Sequence, residues 1–297
     1  MQAIIQNSYN GISDLKIEDV SDPKISPLSV LVENKYTPVL PYDWRTEEGE
    51  LQNIRSVKLP IIIGYGFGGI VKGVGSLRNK NLIGEKVIGA ILSGSNSTMI
   101  DSKIPPLLFR VPNNVELSAA TTIIGGADTA LGIVKKTQVN SHDKVLITGA
   151  SGGIGTYLIQ LLKLQNLNVV AVGHKSNLGF LKNVGADEVI DYTDEVEKKL
   201  SSISDITKVI DTAGNIDLLK MISKIFPTVK IVSIATDRFG QFIQPNILPN
   251  DYLKLLSMLS EKSLQAYVQE EFDYRDVKEA QYKSKNSHSQ GRILLSY

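Results

Sequence analysis

The chain of 297 residues contains no cysteine. That excludes disulfides, thiolate nucleophiles, iron–sulfur clusters and Cys-bound zinc. Histidine is scarce: His142, His174 and His288 are the only three, and no two stand at i, i+4. A zinc site built on a helical histidine pair is therefore not expected. Charge of one sign is lacking as well. Lys plus Arg number 32 and Asp plus Glu 31, a net charge of +1, which leaves no bulk potential to hold a nucleic acid or an anionic membrane. No apolar run approaches the ~18 residues of a membrane-spanning helix. The stretch Met1 to Asn7 lacks the basic end and apolar core of a signal peptide, so a cytoplasmic location is expected. With 42% hydrophobic and 21% charged residues the composition is that of a globular protein. The length suits about two domains of roughly 150 residues each.

Residues 1–115 carry Pro and Gly at short intervals between brief β-rich runs such as Ser29-Val30-Leu31-Val32-Glu33 and Gly69-Ile70-Val71-Lys72-Gly73-Val74. Many short strands with turn signals predict a small β-barrel. From about Asn114 the pattern changes. Ser118 is a candidate cap for a helix through Ile124. Strand and helix patterns then alternate: Lys144 to Thr148, a helix from Thr156 to Gln165, Val169 to Val172, a helix from Asn177 to Val184, Val189-Ile190, Lys208 to Ile210 and Val229 to Ile234. That alternation predicts a doubly wound parallel sheet over 116–265. In the tail, Leu264 to Val268 is expected as a strand, Asp276 to Lys283 as a short helix and Arg292 to Leu295 as a last strand. Residues 266–297 are expected to return to the first domain.

The strongest local signal is Lys144-Val145-Leu146-Ile147-Thr148-Gly149-Ala150-Ser151-Gly152-Gly153-Ile154-Gly155. A strand enters it and a helix leaves it, the context a dinucleotide-binding G-x-G-x-x-G loop requires, here with Ala150 in the first glycine place. Gly152 would let the backbone approach a pyrophosphate, and Gly155 would let the helix pack close to the strand. The phosphates would sit at the helix N-terminus, where free N–H groups and the dipole favour anions. NAD sites usually place an acid at the end of the second strand to hold the ribose 2′-OH. Here that strand ends in Gly173-His174-Lys175-Ser176. Nothing there repels a 2′-phosphate, and Lys175, Ser176 and His174 are candidates to bind it, which favours NADP(H) over NAD(H).

A β-rich first domain followed by this unit resembles the medium-chain dehydrogenase/reductase superfamily, and within it the zinc-independent quinone oxidoreductase branch that includes zeta-crystallin. The resemblance rests on Asp43-Trp44, Gly64 to Gly75, Gly84-Glu85-Lys86-Val87, the glycine loop, Gly185 to Tyr192, Val209 to Gly214 and Gly291 to Leu295, in that order along nearly the whole chain. It implies a GroES-like β-barrel domain (1–115 with 266–297) and a Rossmann domain (116–265). It implies hydride transfer from NADPH to a small electrophilic acceptor, a quinone or an α,β-unsaturated carbonyl, entering between the domains, and a homodimer. Where zinc-dependent relatives carry a Cys and a Gly-His-Glu, this chain has Leu40-Pro41-Tyr42-Asp43 and Gly64-Tyr65-Gly66, so no metal is expected. Carried over by motif, the cofactor residues are Ser151, Gly152, Gly153, Ile154, Gly173, His174, Lys175, Ser176, Tyr192, Ala213, Gly214, Ser233, Ile234 and Ala235, with Thr129 and Arg292 as further candidates. The sole tryptophan, Trp44, is expected beside the nicotinamide. Two departures stand out: Leu40 replaces the family's Asn, and Gln52 or Asn53 stands near where its Tyr is usual.

Reducing a C=C bond needs a proton donor or an ordered water. Tyr42 and Tyr65 are the candidates, since their stretches would face the nicotinamide. His142 and His288 fall in polar loops and are expected on the surface. Two alternatives remain. The loop also fits the T-G-x-x-x-G-x-G pattern of short-chain dehydrogenases, whose Tyr-x-x-x-Lys spacing recurs at Tyr274 and Lys278, although in an acidic, exposed-looking stretch. The other is a non-catalytic NADPH-binding relative, redox-sensing or RNA-associating, motivated by Leu40. The near-zero charge argues against RNA.

Overall fold

A computed structural model describes residues 1–52, 58–103 and 107–297. The chain forms two compact units. One comprises Met1–Gly125, Tyr252–Ser287 and Arg292–Tyr297, the other Gly126–Asp251 and His288–Gly291. Asn53 lies outside the described residues.

The first unit contains β1 (Gln2–Gln6), β2 (Lys16–Asp19), β3 (Val30–Pro38), α1 (Pro41–Glu47), β4 (Ile61–Ile62), β5 (Gly66–Val74), β6 (Lys86–Ala90), β7 (Met99–Ser102), β8 (Leu108–Arg110) and α2 (Leu117–Thr121). A three-stranded sheet has the order β2-β1-β4. The larger sheet runs through β3, β5, β6 and β8, with β7 also on β3. Its interior is closed by Val30, Val32, Phe67, Val71, Val87, Ile91 and Ile100. The α1 helix starts where Leu40 N–H donates to the Asp43 carboxyl at 2.9 Å. The α2 helix starts after Glu116, two residues before the expected cap, so Ser118 lies inside it. Burial of Leu117 at its first residue accounts for the earlier start. Past α2 the backbone leaves helical geometry at Ile124 and Gly125, the latter with φ +67°.

The second unit contains α3 (Asp128–Thr137), β9 (Lys144–Thr148), α4 (Gly155–Lys163), β10 (Asn168–Gly173), α5 (Leu178–Val184), β11 (Glu188–Asp191), α6 (Val196–Ser201), β12 (Lys208–Asp211), α7 (Ile216–Ile225), β13 (Lys230–Ser233) and β14 (Gln241–Phe242). The strands form one parallel sheet, β11-β10-β9-β12-β13-β14. Their central members are apolar on both faces because helices cover both, as a parallel sheet requires. The strand order reverses beside β9, so the loops after β9 and β12 flank the crevice where such sheets bind ligands.

The α8 helix (Pro249–Ser260) leads into the tail, which carries β15 (Val268–Asp273), α9 (Val277–Asn286) and β16 (Arg292–Ser296). The β16 strand pairs with β3, and β15 pairs with β16 in parallel at the sheet edge. The expected strand at Leu264 to Val268 thus lies further along. Its sequence, Val-Gln-Glu-Glu-Phe-Asp, is two-thirds polar because an edge strand meets water, and charge there discourages further pairing. The units also divide at places the composition did not show. Residues 116–125 go with the first unit because α2 packs on β5, where Thr121 crowds Gly68. Tyr252 stacks on Phe109 at 4.6 Å, and Ser260 bonds Asn114, which brings 252–265 to the same unit. Trp44, expected beside the nicotinamide, is buried with Ile4, Leu15, Val39, Ile63, Ile293 and Leu295.

Candidate functional site

The glycine loop is built by steric exclusion. Gly149 turns the chain out of β9 at φ +67°, and a Cβ there would lie 2.5 Å from Thr212 Oγ1. A Cβ on Gly155 would overlap the Ala150 carbonyl oxygen at 2.5 Å and that of Gly149, so only glycine brings α4 this close to the strand end. Gly152 differs: its nearest neighbour would be 3.5 Å away, so its surroundings are open. No side chain caps α4. The Thr156 N–H is taken by the Gly152 carbonyl at 3.1 Å, the helix dipole still favours an anion at this end, and Ser151, Gly152, Gly153 and Ile154 are all half-buried around it. These residues fit a dinucleotide pyrophosphate.

The rim after β10 is more elaborate than the sequence suggested. A Cβ on Gly173 would come within 2.6 Å of Leu181 Cδ1, the tip of a side chain that would have to turn aside, and the glycine itself brings no acid to that position. His174 follows, half-buried, then exposed Lys175 and Ser176. The Ser176 N–H donates to His174 Nδ1 at 3.3 Å, and the Ser176 hydroxyl lies 2.8 Å from the same nitrogen. Asn177 is buried and acts as the hub. Its Nδ2 donates to Ser151 Oγ at 3.0 Å and to the carbonyls of His288 and Ser289, and its Oδ1 accepts from Gln290 Nε2 at 2.9 Å. Gly291 N–H completes the strap by donating to the Ser151 carbonyl at 2.8 Å. The segment His288–Gly291 is thereby stitched across the glycine loop and the β10 rim.

His288, expected as a solitary surface residue, is therefore part of this rim. It is exposed, yet its ring stacks on His174 with centroids 3.9 Å apart and planes 9° from parallel. Tyr192, after β11, reaches His288 Nδ1 with its hydroxyl at 3.0 Å. Partial burial and the facing His174 ring push His288 below the usual histidine range. Next to them the Thr193 hydroxyl and N–H hold the Asp191 carboxyl below its ordinary value. Neither His288 nor Asn177 was singled out from sequence. Asn177 had a signal, an Asn directly before a helix pattern. His288 had none, because its partner is 114 positions away and only the return of the tail brings them together.

At the crevice side, Asp211 organises the strand ends. Fully buried, it accepts from Thr148 Oγ1 at 2.5 Å, Ser233 Oγ at 2.6 Å and the N–H groups of Ala213 and Gly214 at 3.1 and 3.0 Å. Ser233 Oγ in turn accepts from the N–H groups of Ala235 and Thr236, both at 3.1 Å. The polar groups expected at Ala213, Gly214, Ser233 and Ala235 are thus engaged in holding the strand ends together. Ile234, half-buried between Ser233 and Ala235, donates its N–H to the Asp211 carbonyl. These residues flank the crevice with backbone and small apolar surface. Thr129 likewise donates both N–H and hydroxyl to its neighbour Asp128.

The remaining candidates belong to the first unit. Tyr42, in the first turn of α1, is 38% exposed and borders a small crevice with Gln6, Asp43, Thr46, Ile61, Ile62, Ile63 and Gly64. Tyr65 is half-buried just before β5. Arg292 is buried, and its guanidinium donates to the carbonyls of Val39 at 3.3 Å and Gly125 at 2.6 Å. That clamp ties β16 to the start of α1 and to the kink after α2. Leu40 is buried against Gly125, where a Cβ would meet its Cδ2 at 2.8 Å. An apolar side chain so placed cannot ligate zinc. Among the described residues no three His, Cys, Asp or Glu side chains converge to hold a metal ion. The short-chain pairing fails on geometry. Tyr274, expected exposed, is buried, bonded to Gln2 and stacked on Tyr297 at 4.8 Å, while Lys278 donates to the Ser13 carbonyl. Both belong to the first unit, whereas the glycine loop belongs to the second.

Comparison with known proteins agrees with both units. A family profile described as an alcohol dehydrogenase GroES-like domain matches residues 26–107, and one described as a zinc-binding dehydrogenase matches 153–268. A chloroplastic quinone-oxidoreductase homolog of Spinacia oleracea is 31% identical over 213 residues, 69% of this chain. The chain spans just under two thirds of that relative's length, 65%. A chloroplastic NADPH-dependent alkenal/one oxidoreductase of Arabidopsis thaliana is 25% identical over 99% of this chain and 79% of its own. The structure of the quinone oxidoreductase from Coxiella burnetii superposes with a TM-score of 0.85 at 24% identity, covering 100% of this chain and 99% of that one. No described helix is long and apolar enough to cross a membrane. The paired profiles, the six-stranded parallel sheet and the strand–glycine loop–helix unit together show that this chain belongs to the medium-chain dehydrogenase/reductase superfamily, with distant relatives among the quinone oxidoreductases.

Proposed function

We propose that this chain is a zinc-independent, NADP(H)-dependent reductase whose acceptor is a quinone or an α,β-unsaturated carbonyl. The observation that carries the cofactor choice is the β10 rim. Gly173 brings no carboxylate to the strand end, and the groups around it, His174, Lys175, Ser176 and Tyr192, offer donors and positive charge. That set suits a 2′-phosphate and gives the ribose diol of NAD no acidic partner. The names of distant relatives, quinone oxidoreductases and an NADPH-dependent alkenal/one oxidoreductase, support the acceptor class.

When bound, the reduced nicotinamide supplies a hydride. An enone accepts it at its β-carbon, and a proton must then reach the α-carbon or the oxygen; a quinone takes one hydride and one proton to become the hydroquinone. The chain's own contribution is to hold the pyrophosphate on Gly152 and the α4 N-terminus, to fix the adenosine end at the β10 rim and to flank the crevice with small residues at the Asp211 hub. Positioning of this kind supplies much of the rate where the acceptor is already electrophilic. Tyr42 and Tyr65 are the proposed proton donors, with water as the alternative.

The test is steady-state oxidation of NADPH and of NADH with a benzoquinone and with a 2-alkenal. A kcat/KM at least about tenfold higher with NADPH, the equivalent of ~1.4 kcal/mol of phosphate recognition, is expected. Equal use of NADH overturns the cofactor assignment. Leu40 favours one second reading: its buried side chain brings no polar group to a position where relatives carry Asn, as a non-catalytic NADPH-binding protein would tolerate. Tight NADPH binding without turnover of either acceptor class would favour it.

A further inference from the structure

Of the two stacked histidines, the sequence placed only His174 at the phosphate site, and the geometry adds His288. Each ring has its Nδ1 engaged inside the chain. The Ser176 N–H can only donate, so His174 Nδ1 accepts and the neutral ring carries its hydrogen on Nε2. For His288, Nδ1 lies 3.0 Å from the Tyr192 hydroxyl, which can donate to it when the ring carries its hydrogen on Nε2. Neither Nε2 has a hydrogen-bond partner among the described residues. Two nearly parallel imidazoles thus leave Nε2 open beside Lys175 and Ser176, at the end of the strand where the adenosine ribose would be held, and a protonated ring donates from Nε2 in either case.

The charged groups around this stack come from three elements and the strap. Lys175 follows His174 in the β10 rim. Asp191 ends β11, and its carboxyl is held below its ordinary value by Thr193, with Lys199 and His174 adding to the effect. Lys199 of α6 acts on Asp191 and is itself paired with Asp194. The strap contributes His288 alone, since Ser289, Gln290 and Gly291 carry no charge. With no ligand present, a proton on one ring disfavours a proton on the other at 3.9 Å. A phosphate dianion reverses that balance, because its oxygens accept from both rings and its charge offsets theirs.

We infer that His174 and His288 are a proton-dependent reader of the cofactor's 2′-phosphate, so that affinity for NADP(H), but not for NAD(H), falls as pH rises through neutrality. The inference rests on the NADP(H) reading above and adds to it a residue, His288, and a linkage. Binding that raises an imidazole pKa takes up protons, and affinity then falls by up to about tenfold per pH unit for each proton taken up.

The test is calorimetric titration of the full chain with NADP⁺ and, separately, NAD⁺, in two buffers of different ionisation enthalpy, from about pH 7 to about pH 8.5, where the 2′-phosphate is already dianionic. Net proton uptake with NADP⁺ and none with NAD⁺ is expected, with NADP⁺ affinity falling about three- to tenfold over that range. His288→Gln is expected to reduce the uptake and flatten the NADP⁺ profile while leaving NAD⁺ affinity within about twofold. His288 is exposed, so this variant folds, and His174→Gln serves as its partner. NADP⁺ preferred over NAD⁺ with no proton uptake, or with a profile that His288→Gln does not alter, overturns the histidine reader and leaves the NADP(H) reading standing. Equal affinity for NADP⁺ and NAD⁺ at every pH overturns both.

Discussion

Asp211 shows how much one side chain does in this fold. It ends an apolar strand, is fully buried and receives two hydroxyls and two backbone N–H groups from β9, β12 and β13 and the turn that follows β12. Removing it orphans two buried hydroxyls and two partly buried N–H groups, and each buried orphan costs about 1–3 kcal/mol before relaxation and water entry offset part of it. Asp211→Ala is therefore expected to lower unfolding free energy by about 3 kcal/mol, seen as a lower urea midpoint at unchanged slope. Ser233→Ala, which removes one bond to Asp211, should cost only about 1 kcal/mol. Equal effects of the two variants would show that Asp211 is not the hub. At this scale the sequence was legible where sterics act locally. Gly149, Gly152 and Gly155 were readable as a phosphate loop because strand, glycine spacing and helix are contiguous. Asp211, Asn177 and His288 were not, because what they do depends on partners that the chain brings from elsewhere.

Among the elements, α1 and α9 are joined by a buried pair with a pH signature. Gln281 Nε2 donates to Glu47 Oε1 at 2.9 Å, while Glu47 Oε2 and Gln281 Oε1 are both buried without partners. A single proton on Oε2 supplies the missing donor, forming an acid–amide pair. Burial, with Asp43 and Glu48 adding negative charge nearby, pushes the Glu47 carboxyl up to about 8. The sign follows from linkage. An acid whose folded pKa is raised stabilises the fold fully below its unfolded value, ~4.3, and that stability is lost as pH rises through the folded value. Glu47→Gln keeps both bonds at any pH. It is expected to be near neutral at about pH 4.5 and more stable than the parent by about 2–4 kcal/mol at about pH 7, in thermal or urea unfolding. A pH-independent difference between the two would rule out a buried, neutral Glu47. The sequence placed a short helix at Asp276 to Lys283, close to the observed Val277–Asn286. Its contact with α1 was invisible, since a buried Glu on a short helix looks like any solvated acid until its partner is placed.

For the whole molecule, the tail decides the architecture. The β16 strand lies between β15 and β3, and Ile293, Leu294 and Leu295 are buried there, two of them in the core that holds Trp44. The strap just before it returns to the other unit to meet Ser151 and Asn177. Each large aliphatic side chain buried this way contributes roughly 1.5–3 kcal/mol. Deleting 288–297 is expected to abolish the cooperative unfolding transition of the first unit and to red-shift Trp44 emission by exposing the indole. The second unit, which keeps its own sheet, should retain helical far-ultraviolet circular dichroism. Unchanged Trp44 emission in the truncated chain would show that the tail does not complete that core. The alternating pattern from 144 onward made the parallel sheet legible, because each βαβ unit is local. The edge strand β15 was misplaced because an acidic, half-exposed strand carries little of the apolar signal that marks a buried one.

The sequence by itself determined the two kinds of sheet, the glycine loop, the absence of an acid after β10 and the lack of any thiolate chemistry. Each of these is set by residues within a few positions of one another, where sterics and hydrogen bonding are local. Only the tertiary structure decided that His288 stacks on His174, that Asn177 ties the tail to the loop, that Arg292 is a clamp on two carbonyls and that Tyr274 lies in a core. Those roles come from contacts between segments far apart in the chain. Such contacts form only after loop closure has been offset by burial of the faces that meet, and no local pattern records which segments those will be.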